Sequence, residues 1–311
     1  MSAAIVFALG SGLLSAVLYA SALVGAAGGL ALVFVVPLPL FLVGLSREAG
    51  WRGAALAALA GTLAVALGGG LAAGANFGVA EAVPPLLVAY LAGLRRDHAD
   101  GSVEWYPPGR LLVWLALYGA CVLLAFVLYY ASAEGGLEGT LQRSAAALFQ
   151  ELGLPLTPPT TALVNAFVSI LPGLGGASWL LIVAGNAALA ETLLQRFGHA
   201  LRPVPAFVSL ALPAPLALGA VAAAVLGLSG SGLGFAARNL AFVLVVPYFF
   251  TGLACLHLLV TRWQLGARLI VPFYIMLIGA IVILSWLAVM AIAVLGLVDQ
   301  AAGLRRRLAR P

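Results

Sequence analysis

The chain contains no lysine: its 15 basic residues are all arginine. A glycine-rich phosphate loop needs a lysine to reach the β- and γ-phosphates, so ATP hydrolysis through that motif is excluded. Charge of either sign is scarce, at 8% of 311 residues, where soluble domains carry about a quarter. No polar stretch is long enough to build a soluble domain, and the largest non-membrane segment is 131–160. The two cysteines, Cys121 and Cys255, fall within apolar runs, which argues against a disulfide framework and leaves the redox compartment open. His98, His199 and His257 are scattered, with no cysteine or carboxylate at ligand spacing. No metal, cofactor or catalytic centre is therefore expected. No basic n-region precedes the first apolar segment, which reads as a retained span and not as a cleaved signal.

What fills the chain is hydrocarbon: 64% hydrophobic residues and a mean hydropathy of +1.14. The expected fold class is all-α, a polytopic transmembrane helical bundle in a lipid bilayer. A span needs about 20 apolar residues. That length yields candidates near 3–23, 27–45, 53–72, 76–94, 110–131, 161–194, 205–228, 237–260 and 268–298, or about eight to nine spans. The net charge of +5 comes from arginines at the ends of these spans. There they set topology, so no nucleic-acid partner is expected. Clusters fall at Arg47/Arg52, Arg95/Arg96/Arg110, Arg196/Arg202 and Arg262/Arg268. With a cytoplasmic N-terminus, simple alternation puts all four inside, as the positive-inside rule requires. The segment 268–298 breaks the pattern. About 30 residues at ~1.5 Å cross the ~30 Å core once, which would leave Arg305, Arg306, Arg307 and Arg310 on the other side. The outer segment carries a run from Leu137 to Leu152 at roughly helical spacing, expected as an interfacial helix or lid.

Glu81 stands out. It lies in the stretch Ala-Asn-Phe-Gly-Val-Ala-Glu-Ala-Val-Pro-Pro, inside an otherwise apolar span. An ionisable group there is expensive and points to a ligand, pathway or proton site. Pro84 and Pro85 lack the N–H groups that the carbonyls of Ala80 and Glu81 would use in a regular helix. Counting about 14 residues up from Arg95 places Glu81 ~21 Å above it, in the outer third of the core. Asn76 lies closer to the outer face. The plainer alternative for both, and for Asn186 near mid-depth, is helix-to-helix glue. Arg238 and Asn239 open the eighth span. Arg238, ~36 Å from Arg262, belongs at the outer surface. It either snorkels there or draws in an anionic ligand.

Small residues recur every fourth position in the first span: Ala4, Ala8, Gly12, Ala16 and Ala20. Such a strip lets another helix approach closely, either within the chain or on a partner. A second strip runs through Gly70, Gly74 and Gly78. Asp97, Asp100 and Glu104 share one loop and read as a solvated turn.

The C-terminal third, from Asn239 through Tyr248-Phe-Phe-Thr-Gly252-Leu-Ala-Cys-Leu-His257 to Leu295-Gly-Leu-Val-Asp299 and then Arg305-Arg-Arg, resembles the YybS-like family of bacterial membrane proteins (domain of unknown function 2232). The family pattern has an aromatic residue and a second acid between Asp299 and Arg305, where this chain has Gln300, Ala301, Ala302, Gly303 and Leu304. The first-span strip, Pro37-Leu-Pro39 and the Gly-Trp-Arg-Gly turn are similar to the S-components of ECF-type vitamin transporters. That resemblance divides the chain into a six-span part, 1–202, and extra C-terminal spans, 203–311. It implies a component of the bacterial cytoplasmic membrane that binds a small molecule and passes it on with an integral membrane partner. Glu81, Asn76, Arg238 and Asn239 are then the ligand-binding candidates, and the Ala4 to Ala20 strip is the partner interface. The competing layout is a non-transporting scaffold in envelope assembly, similar to the rod-shape protein MreD. There Glu81 is glue and the strips join subunits.

Overall fold

The computed structural model describes residues 3–23, 32–230, 232–262, 266–284 and 286–308. The start of the expected span 27–45 and Arg310 lie outside them. The protein is an all-α membrane protein. Among the described residues six helices are long and apolar enough to cross a membrane: Ala3–Ala22, Gly50–Gly69, Leu71–Ala92, Pro108–Tyr129, Leu171–Arg196 and Gly232–Arg262. Several shorter apolar helices accompany them. A two-stranded hairpin, β1 (Arg95–Asp97) with β2 (Val103–Trp105), carries the acidic loop expected as a solvated turn. Contacts divide the chain into two compact units, Met1–Leu115 with Leu181–Pro205, and Ala116–Leu180 with Ala206–Pro311.

The first unit is built on close helix approach. Helix α1 (Ala3–Leu23) is followed by a 3-10 turn (Val33–Val35), α2 (Leu38–Gly44) and α3 (Gly50–Gly69). Gly12 of α1 sits directly on the Ala57 backbone of α3, and Gly53 of α3 lies against Ala8. The pairs 8/53 and 12/57 keep a constant offset, so α1 and α3 run parallel with α2 returning between them. Ala8, Gly12 and Ala16 are buried, whereas Ala20 at the end of the strip is exposed. The strip thus packs on a helix of its own chain. Gly70, at φ 88°, turns α3 back into α4 (Leu71–Phe77). That backbone conformation suits glycine alone. Gly74 then meets Ala66, and Gly78 meets Thr62, a tight helical hairpin.

The segment after Arg196 ties back to the α2–α3 turn. Ser46 bridges Ala200, Leu201 N–H donates to the Leu45 carbonyl and Arg47 N–H to the His199 carbonyl, both at 3.0 Å. His199 Nδ1 lies 2.8 Å from Glu48 Oε1. The buried Arg202 guanidinium pairs with Glu191 at 2.6 Å and donates to the Tyr106 carbonyl.

α6 (Pro108–Tyr129), which belongs to the second unit from Ala116 on, leads to α7 (Gly136–Glu151), the helix expected over Leu137 to Leu152. The expected single span 161–194 is two helices, α8 (Pro158–Val168) and α9 (Leu171–Arg196), interrupted at Ser169 and Ile170. Pro172 and three nearby glycines weaken the helix there. α10 (Ala214–Leu226) and the long α11 (Gly232–Arg262) follow.

The residues expected as one span, 268–298, also form two helices, α12 (Gly266–Leu284) and α13 (Trp286–Ala302). Trp286 stacks edge-on with Phe242, Gly252 packs on the Ile292 backbone and Gly296 on the Tyr248–Gly252 backbone. These pairs share nearly one offset, so α13 runs parallel to α11 and α12 is the return helix. Arg305, Arg306 and Arg307 therefore finish at the same end of this unit as Arg262. The length argument fails because the helices extend beyond the apolar window at both sides. Helices of 19 and 17 residues span about 28 and 25 Å. Shortfalls of this size against a ~30 Å core cost only fractions of a kcal/mol per Å.

A Cβ on Gly252 would overlap the Ile292 carbonyl, whereas one on Gly10 meets nothing within 4 Å. Gly252→Ala should cost about 1–3 kcal/mol through forced separation of α11 and α13. Gly10→Ala should stay within about 0.5 kcal/mol of wild type. Reversible unfolding in mixed micelles measures both.

At the α2–α3 turn the His199 hydrogen bond holds the Glu48 carboxyl below its usual 4.5, and the Arg47 hydrogen bond adds to the effect. A depressed folded pKa contributes stability above the unfolded value and loses it as pH falls through the folded one. Hydrogen exchange at residues 45–48 should accelerate on acidification below about pH 4.5, and less so in Glu48→Gln.

Candidate functional site

Glu81 occupies a π turn, Gly78–Ala82, between α4 and α5 (Val83–Ala92). The Val83 N–H reaches back five residues to the Gly78 carbonyl, the register of a π-helix, a local feature often found at functional sites. The turn widens the helix just where Pro84 and Pro85 interrupt donation. Phe77, fully buried, anchors its start and meets the Tyr19 ring edge-on at 5.3 Å. The Glu81 side chain is half-buried and makes no hydrogen bond or ion pair among the described residues. Asn76 precedes it on α4 and is exposed.

Arg238 and Asn239 belong to the second unit and face different surroundings. Asn239 is fully buried and wholly engaged with backbone. Its Oδ1 accepts from Gly173 N–H at 2.6 Å, and its Nδ2 donates to the carbonyls of Ser169 at 2.9 Å and Phe235 at 2.8 Å. It thereby joins the α8–α9 break to α11, supplying an acceptor to one of the orphan donors at the start of α9. Gly173 is required beside it, because a Cβ would strike the Asn239 backbone. Arg238 is half-buried, its backbone pressed against Gly227 at the end of α10, and its Nε is buried without a partner. Asn186, in the first unit, donates to the Phe34 carbonyl at 2.7 Å and joins α9 to the 3-10 turn. Its Oδ1 is buried without a protein partner.

A second polar centre escaped the sequence reading. Asp299 is 4% exposed and takes two bonds from Arg305, backbone N–H to Oδ1 and Nε to Oδ2, each at 2.7 Å. Gly303, at φ 63°, makes the turn into the short α14 (Leu304–Leu308) that brings Arg305 back. Arg305 Nη1 also donates to the Val208 carbonyl at 2.9 Å. These groups line a cavity of about 540 Å³ with Thr251, Gln300 and Arg306, a volume typical of small-molecule sites. Gln300 Oε1 in its wall is buried and accepts no hydrogen bond from the described residues. The spacing of Asp299 and Arg305 was on view in the C-terminal motif, but a six-residue separation does not reveal a partnership until the turn at Gly303 is known. Among the described residues no three His, Cys, Asp or Glu side chains gather to hold a metal.

With that geometry established, the chain can be compared with known proteins. A family described as Predicted membrane protein (DUF2232) matches residues 13–300. No curated protein and no solved structure matches.

Breaking a buried ion pair from one side leaves an uncompensated charge, a loss of about 3 kcal/mol or more. Asp299→Ala and Arg305→Ala should each approach that cost, and the double variant should be clearly less destabilised than their sum. A double-mutant cycle in detergent unfolding reads the coupling.

Proposed function

From a chain that belongs to the DUF2232 family of predicted membrane proteins, we propose a bacterial cytoplasmic-membrane component that binds a small molecule and moves it together with a partner. The observation that supports this reading is the Glu81 carboxyl, set on a π turn inside an apolar span without a hydrogen bond or salt bridge among the described residues. A group used only as helix glue would be bonded to a neighbour, as Asn239 and Asn186 are. Glu81 contacts the ligand or carries a proton coupled to its passage, and exposed Asn76 supplies a second polar contact on the same span. The reading assigns no chemical step, so the protein acts as a binder and not as an enzyme. Because the middle of the α1 strip is occupied by α3, a partner would use the lipid-facing side of α1, where Val6, Leu13, Leu14 and Val17 are each at least half exposed.

Native mass spectrometry on protein gently extracted from its own membrane tests this. The wild type should retain a small molecule or an integral partner. Glu81→Gln should lose the small molecule and the thermal stabilisation that goes with it, while keeping its helix content. Retention of the molecule by Glu81→Gln, or a general failure of that variant to fold, would assign Glu81 to packing. Stoichiometric envelope-synthesis proteins without any ligand would leave a scaffold instead.

A further inference from the structure

Arg238 closes one end of an apolar groove of about 460 Å³ formed within the second unit by α10, α11 and α13. Ala220 and Ala224 of α10, Gly227 just beyond it, and Phe242, Val245 and Val294 of α11 and α13 line it. The parallel offset of α11 and α13 sets Leu297, at the far end, level with about residue 253. The groove therefore extends about 20 Å from Arg238 along the helix axes. Its outer rim is strongly apolar: Val221 and Leu228 of the α10 segment, both lining it, are 54% and 86% exposed. Such a rim opens to lipid.

The head of the groove carries a cation with no balancing carboxylate among the described residues. Arg238 forms no salt bridge among the described residues, and its Nε is buried without a partner. Buried Arg202 shows the contrast: Glu191 and the Tyr106 carbonyl take up its donors. Burying a guanidinium donor with no acceptor is costly, and the close approach of Gly227 fixes that burial in the backbone. Arg238 also lies ~36 Å from Arg262 along α11, so with Arg262 at one membrane surface it reaches the headgroup level of the other.

An elongated apolar trough ending at an unbalanced guanidinium at headgroup depth is complementary to one kind of molecule. We propose that this groove binds an anionic phospholipid of the surrounding bilayer, its phosphate on Arg238 and one acyl chain along α10, α11 and α13. Guanidinium matches phosphate through paired N–H donors, and the acyl chain replaces less ordered lipid against the small residues of α10. The site is independent of Glu81, which belongs to the other unit.

The test uses the full-length protein in nanodiscs of phosphatidylglycerol mixed with phosphatidylcholine, followed by release and native mass spectrometry. Wild type should keep one phosphatidylglycerol adduct in preference to phosphatidylcholine. Arg238→Gln should lower its retention about tenfold, the worth of a charge-assisted bond. Ala224→Phe, which fills the trough and leaves Arg238 in place, should lower retention as well. Arg196→Gln, outside the groove, should leave it unchanged. Equal retention of the two lipids by wild type, or undiminished phosphatidylglycerol on either groove variant, would overturn the proposal. So would protection by inorganic phosphate alone at the same concentration, since that would show an ion site with no use for the chain. A matching helix content for each variant separates loss of the site from loss of the fold.

Discussion

Backbone approaching backbone across a glycine is the contact on which each unit of this protein depends. In the first, Gly12 rests on Ala57; in the second, Gly252 rests on Ile292 and Gly296 on Tyr248. In both, the two helices run parallel, and a third returns between them in the sequence. Lipid offers no hydrophobic drive to join helices, because tails are as apolar as leucine side chains. Association must come from dense packing, and density is greatest where no Cβ separates the chains. The large side chains are thereby released to face outward. Leu67, Leu71, Leu128 and Leu228 are mostly exposed, which would be a fault in water and is ordinary against acyl chains.

Once helices sit that close, polar groups between them have few choices, and the structure shows three. Asn239 is consumed by backbone at the α8–α9 break, where helical bonding stops and lipid could not replace it. Asp299 and Arg305 satisfy each other and fix the turn at Gly303. Glu81 and Arg238 are left without a bonded partner among the described residues, and the burial of each is enforced by a nearby backbone feature: the π turn for one, the approach of Gly227 for the other. The first two arrangements are self-sufficient. The third is not, and this difference separates the residues that build the fold from those available to a ligand.

Much of this was legible in the sequence because membranes impose length and periodicity directly. The all-α class, the long spans, the helix after Leu137, the family and the position of Glu81 inside an apolar segment follow from counting hydrocarbon and noting what interrupts it. What hydropathy cannot see is a reversal without a polar signal. Residues 266–302 are apolar almost throughout, so α12 and α13 read as one span until the Phe242–Trp286 pair shows the direction of α13. Nor does a strip of small residues name its partner. The Ala4 to Ala20 strip served equally for a second protein or for α3, and Ala57 beneath Gly12 shows only what its middle packs on. Asn239 was a candidate for ligand binding on residue type and depth, while its engagement depends on Ser169 and Gly173, some 70 positions earlier.

The reversal at α12–α13 also resolves the charge pattern. A single crossing strands Arg305–Arg307 on the face opposite Arg262, against the tendency of arginines to gather on one side. With α13 parallel to α11, the C-terminal arginines rejoin Arg262 and Arg268 at one end of the unit. Arg238, near the start of α11, lies at the opposite end of that helix from Arg262 and outside this cluster. A half-buried cation that lies outside the cluster and makes no ion pair among the described residues is held at a desolvation cost that its own helices do not offset.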